Sequence, residues 1–147
     1  MNKPEKAVCY FENGCNCSQA VSVAFCEDFG IDKTVMLRLS EGLGGGVGRM
    51  RNVCGAVCGM AMLASLAVPE HQPTDSKTRK DVYSLVQTMA DEFKSEFGSI
   101  ICSEILKSPD TSPTPTARTQ HFYKSRPCSA CVATAAKIAE KYLLKSE

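Results

Sequence analysis

The stretch EGLGGGVGRMRNVCGAVCGMAMLASLAVP, Glu41 to Pro69, decides how the rest of the chain is read. It opens on a glycine-rich loop, passes Arg49 and Arg51, and enters a segment from Val53 to Val68 with no charged residue. Gly, Ala and Ser keep that segment thin, and a helix apolar on every side has to be surrounded by protein. Spanning a bilayer takes about 20 apolar residues, and no second hydrophobic segment accompanies this one. The segment is therefore expected to be the buried central helix of an all-α domain, with Cys54 and Cys58 near its N-terminus.

The flanking sequence supplies the helices that would surround it. Residues 1–13 read as a polar lead-in, with Cys9, Tyr10 and Phe11 expected to pack back on the core. Asn16 or Ser18 can cap CSQAVSVAFCEDFG, where Cys17, Ala20, Val21, Ala24 and Phe25 recur at helical spacing up to Gly30. Asp32 can cap a further helix with Val35, Met36 and Leu39 as its inner face. Beyond the loop at 69–75, Val82, Leu85, Val86, Met89 and Phe93 mark a long amphipathic helix ended by Gly98. A short helix around Cys102 follows, then the proline- and threonine-rich SPDTSPTPT, read as a surface loop. A last helix is expected from about Pro127. No strand-like alternation of useful length is present, so the expectation is one all-α domain over 1–147, a bundle of five to seven helices.

Composition narrows the function. Of 147 residues, 44% are apolar and 22% charged, as in ordinary globular proteins. A net charge of +1 with no basic face argues against nucleic-acid binding. The glycine loop lacks the GK[ST] of a P-loop and the βαβ setting of a dinucleotide fold, so a loop that shapes a site is the better reading. His71 and His121 fall in expected loops with no HExxH spacing and read as surface histidines; Met60 and Met62 suit core filling.

Cysteine is the anomaly, with nine in the chain. The N-terminal sequence lacks the apolar stretch of a signal peptide, so a cytoplasmic location with reduced thiols is expected, favouring metal or thiol chemistry over a disulfide framework. Cys17, Cys54 with Cys58, Cys102, and Cys128 with Cys131 stand at or near helix starts, where the helix dipole favours thiolate. If those helices pack together, four thiolates can meet, the ligand set of an iron–sulfur cluster or a tetrahedral zinc site. Cys128-Ser-Ala-Cys131 alternatively offers a catalytic dithiol. Cys9 and Cys26 read as core or surface thiols.

These stretches resemble the C_GCAxxG_C_C family of redox-active proteins, over roughly residues 10–145. The resemblance is carried by Asn16-Cys17-Ser18-Gln19-Ala20-Val21, Gly44-Gly45-Gly46-Val47-Gly48-Arg49, and Cys54-Gly55-Ala56-Val57-Cys58-Gly59, with Cys102 and Cys128 as third and fourth cysteines. It implies a redox protein, since similar domains occur in split-Soret cytochromes that carry an iron–sulfur cluster beside their haems. It also implies Cys17, Cys54, Cys102 and Cys128 as cluster ligands; Cys58 is an additional candidate.

Three readings follow. The first is an electron carrier or oxidoreductase holding an iron–sulfur cluster through those four thiolates and serving an unidentified redox partner. The second is a metal-free thiol–disulfide protein using Cys128 and Cys131, and the third a structural zinc module. No membrane insertion is expected, and the sequence is compatible with a homodimer. Because Gly55, Ala56, Gly59 and Ala61 allow close packing, the metal-free form is expected to be folded.

Overall fold

The computed structural model describes residues 1–144, so the last three positions of the expected 1–147 domain lie outside the described residues. The fold is all-α, with nine helices among the described residues: α1 (Lys3–Glu12), α2 (Cys17–Val23), α3 (Cys26–Phe29), α4 (Lys33–Glu41), α5 (Gly55–Ala67), α6 (Ser76–Phe97), α7 (Cys102–Leu106), α8 (Gln120–Ser125) and α9 (Cys128–Leu143). None is long and apolar enough to cross a membrane.

The three helices α2, α5 and α9 pack on one another. Around them, α1 lies against α2 and α9, α4 against α2, and α6 against α5 and α9. Phe11, Phe25, Met36, Met60, Leu63, Met89 and Phe93 fill the space between them and are fully buried. Two glycines set how closely α2 and α5 approach. A Cβ on Gly59 would stand 3.0 Å from Val21 Cβ and 3.1 Å from the Ser18 carbonyl oxygen. One on Gly55 would stand 3.2 Å from the Ser18 nitrogen and 3.3 Å from Cys17 Cβ. Any larger residue would push the helices apart, and with them Cys17 and Cys54.

The count exceeds the expected five to seven because short helices escape a periodicity argument. The lead-in is a helix, α1, opened by a capping box in which Asn2 and Glu5 each bond the other's backbone N–H. Ala7 and Phe11, one turn apart, carry it onto the core. The segment after Asn16 is two helices, because the chain leaves α-helical geometry at Phe25 (φ −111°, ψ 7°). A further helix, α8, follows the proline-rich segment and places His121 in a helix instead of a loop.

Two inner faces also differ from expectation. Helix α4 turns Met36 and Ser40 inward, while Val35 and Leu39 are exposed, because α4 meets the core mainly through α2. On α5 the stripe Cys58, Ala61, Met62, Ser65 and Leu66 is only partly covered, so the helix is not enclosed all round. Its other neighbours, α2, α6 and α9, cover the remaining faces. By contrast α6, capped by Asp75 and stopped by left-handed Gly98, follows its expected bounds and inner face, with Met89 and Phe93 fully buried.

Candidate functional site

Four helices start at one end of the bundle, and each starts with a cysteine. Cys17, Cys102 and Cys128 are the first residues of α2, α7 and α9, and Cys54 is the N-cap of α5. Cys17, Cys54, Cys102 and Cys128 line one cavity of about 340 Å³, and Cys131 joins them. Cys58 does not line it; its thiol faces the Val53 carbonyl at 3.7 Å. Cys9, Cys15 and Cys26 also lie outside its lining, as do both histidines.

Local chemistry explains how cysteines so far apart in sequence are gathered. Asn16 caps α2 through a capping box with Gln19, and its side-chain amide donates to the Glu41 carbonyl at 2.9 Å, tying the start of α2 to the glycine loop. Gly44 makes room for that side chain, since a Cβ there would fall 2.3 Å from Asn16 Nδ2. Cys54 and Cys102 are joined by a feature with no helical signature, a single antiparallel bridge between Val53 and Ile101. In it the Cys54 N–H donates to Ile100 O at 2.7 Å and the Cys102 N–H to Asn52 O at 2.6 Å. Both helices thereby begin at the same point in space.

Between Gly42 and Asn52 the chain winds left-handed. Val47, Arg49 and Arg51 have φ of 65°, 63° and 62°, and hydrogen bonds reach back from Gly48 to Gly42 and from Asn52 to Gly46, both at 2.8 Å. Each side-chain-bearing residue held there costs roughly 1–2 kcal/mol, strain of the kind found at functional sites. Its consequence is the placement of Arg51. Gly46 presses on Cys102, Asn52 and Arg51, where a Cβ would meet Cys102 Cβ at 2.6 Å. Arg51 is 4% exposed. Its Nε donates to Asp110 O at 2.8 Å, its Nη1 faces Cys102 Sγ at 3.7 Å, and its Nη2 is buried with no hydrogen-bond partner.

The thiols fall into two interacting pairs. Hydrogen bonding from Cys17 lowers Cys128 to about 7, helped by Arg126, Arg118 and Arg51, while the same bond and burial push Cys17 well up. Hydrogen bonding from Cys131 lowers Cys54, and Cys131 is raised in return. Burial raises Cys102 against the opposing pull of Arg51. Outside the cavity, burial raises Cys58 to about 11. Cys54 and Cys128 are thus the members of their pairs that favour thiolate. The five cysteines line the cavity; among the described residues no three His, Cys, Asp or Glu side chains are gathered closely enough to hold a metal ion.

A sequence profile of the family described as "Putative redox-active protein (C_GCAxxG_C_C)" matches residues 15–142. The chain belongs to this family. Comparison with curated proteins and with solved structures found no match. The C_GCAxxG_C_C profile spans every cysteine that lines the cavity, and the structure gives a physical sense to its central glycines. Gly55 and Gly59 are the contact points at which α5 meets α2, so they set the spacing of Cys17 and Cys54.

Sequence reasoning missed several members of the lining. Pro113, Pro115 and Thr116 belong to the proline-rich segment, which is the exposed irregular loop expected and also lines one side of the cavity. Arg49 holds that segment through Ser112 O and Thr116 Oγ1, and Arg51 holds it through Asp110 O. The closeness of Arg49 and Arg51 to the glycine loop was a visible signal; the arrival of Arg118 and Arg126 at the same cavity depends on tertiary packing alone.

Proposed function

We propose that this cavity holds an iron–sulfur cluster through Cys17, Cys54, Cys102 and Cys128, and that the protein passes electrons to a redox partner. The observation that carries the reading is the convergence of four helix-start cysteines, from four separate elements, on one cavity with a buried guanidinium beside it. The donor set fits: thiolates are the usual ligands of such clusters, and helix N-termini stabilise them. A single tetrahedral zinc would draw all its sulfurs to about 2.3 Å from one point. Sulfurs arranged around a cavity suit a group of several atoms better. When bound, such a cluster supplies one-electron chemistry. The chain's own part is to supply thiolates, to answer their negative charge with Arg51, and to cover the site with the segment around Pro113 and Pro115.

Protein purified without oxygen is expected to be brown, with thiolate-to-iron charge-transfer absorption that bleaches on chemical reduction. Persistent absence of those bands after reconstitution with iron and sulfide would sink the reading. The setting proposed is the reducing cytoplasm, where these thiols stay available.

A metal-free dithiol protein is the second reading, and one observation favours it: Cys128 is lowered to about 7 by contact with Cys17. The expected pair then changes. Oxidation would join Cys17 to Cys128, instead of Cys128 to Cys131 within one helix. Mass mapping of air-oxidised protein separates the two pairings.

A further inference from the structure

Apart from its thiols, the cavity has a single acid to answer four arginines. Arg49, Arg51, Arg118 and Arg126 line it, against Glu41 as the one carboxylate of the lining. Among the described residues, only Arg49 comes within ion-pair distance of a carboxylate, Asp110 at 3.6 Å, a carboxyl that Arg51 also pulls down from further away. Thiols aside, the hydrogen-bond partners of the others are neutral. Arg118 donates to Phe11 O at 3.0 Å and Cys15 O at 3.1 Å while lying over the Phe11 and Phe122 rings. Arg126 donates to Thr116 Oγ1 at 3.3 Å and also stacks on Phe122. Carbonyls, a hydroxyl and aromatic faces fix the direction of a guanidinium without neutralising it. Arg51 is the extreme case, shut away from water with Nη2 unpartnered. A buried donor of that kind is costly unless something accepts from it.

From this we infer that the cavity is a ligand site as well as a thiol site, and that it takes a compact oxyanion held by Arg51 and Arg126 beside the cysteines. Guanidinium groups present a planar fork that matches an oxyanion through paired hydrogen bonds. A volume of about 340 Å³ lies near the small end of ligand cavities, so the occupant is small, all the more so with part of the space given to a cluster. Phe11, Phe122 and Ile105 supply apolar wall, which strengthens the charge interaction by excluding water. The inference rests on the cluster reading only in treating this cavity as the functional site. It makes the protein one that brings a small anion to its redox centre, not merely an electron carrier.

The test is calorimetric titration of inorganic sulfate, and separately inorganic phosphate, into anaerobically prepared protein in chloride-free buffer, with iron and acid-labile sulfide measured on the same sample. Saturable binding of at least one anion to cluster-loaded protein is expected, weakened about tenfold or more in Arg126→Gln and in Arg51→Met. Arg126 lines the cavity and is only half-buried, so its variant stays informative if Arg51→Met fails to fold. No saturable binding, or binding that neither variant weakens, would overturn the inference. So would binding confined to the metal-free form of a protein that does take up a cluster, since the arginines would then serve the cluster alone. If no iron is incorporated, the cluster reading fails by itself. Anion binding that both variants weaken would still establish the oxyanion site.

Discussion

Two regions of this bundle solve different problems. Where α6 lies against α5 and α9, Leu63, Met89 and Phe93 are fully buried, and Phe93 stacks on Phe97 with ring centroids 4.7 Å apart. Among the described residues, no buried polar atom of that region is left without a partner. Where α2, α5, α7 and α9 begin, the interior holds five thiols, a buried arginine and a loop wound left-handed at Val47, Arg49 and Arg51. The first region buries apolar surface. The second holds groups that packing alone would expel. The two are close along the chain, since Ile100, three residues past Phe97, accepts from the Cys54 N–H. The difference teaches that stability comes from one region and chemistry from the other, with α5 as the shared element.

That division can be broken by substitution. The largest effect is expected in the apolar region: Phe93→Ala should cost about 3–5 kcal/mol in denaturant unfolding by leaving a cavity. It should leave metal uptake at the cysteines unchanged under native conditions. If the mutant loses its cluster while still folded, the two regions are not separate. Gly59→Val is expected to cost about 1–3 kcal/mol by overpacking against Val21 and Ser18. Because α2 and α5 move apart, this one should also impair cluster uptake, the combination that Phe93→Ala should not show.

The pH dependence sharpens the same contrast. In reduced, metal-free protein, Cys128 should be alkylated by iodoacetamide with a midpoint near pH 7, the rate rising with pH as its thiolate fills. Cys58, raised to about 11, should stay slow across that range. The linkage has a definite sign. A folded pKa below the ordinary thiol value adds stability that is present above the unfolded pKa and lost as pH falls through about 7. A Cys128 midpoint near that of an ordinary thiol would show that the contact with Cys17 is not made. The smallest effect is expected on removing metal. Helical circular dichroism should persist, because the apolar contacts of α6 with α5 and α9 do not depend on a metal; loss of helix on chelation would mean that the thiol region holds the fold together.

How much of this the sequence disclosed also divides by region. Helix α6 was legible to its caps, since Asp75, the spacing of Leu85, Met89 and Phe93, and Gly98 all encode one structure. The all-α class and the helix-start cysteines were equally plain. Helix α1 was not, although Asn2 and Glu5 spell a capping box and Phe11 reads as a core residue, because Ala7 alone is too weak a signal to complete a helical stripe. Val35 and Leu39 have the spacing of an inner face yet are exposed, since periodicity does not say which partner arrives. The bridge between Val53 and Ile101 is too short to leave any pattern, yet it sets Cys54 beside Cys102. The arginines converge from the glycine loop, the chain just ahead of α8 and the C-cap of α8, and only the assembled fold brings them to one cavity.

The measurement that tests the central claim most directly is iron and acid-labile sulfide per chain, in anaerobically purified protein and five single variants. Cys17→Ser, Cys54→Ser, Cys102→Ser and Cys128→Ser should each lose most of the iron and sulfide, while Cys58→Ser, whose thiol lies outside the cavity, should keep them. Absence of iron and sulfide from the reconstituted wild type, or equal loss in Cys58→Ser, would contradict a cluster held at the four helix starts.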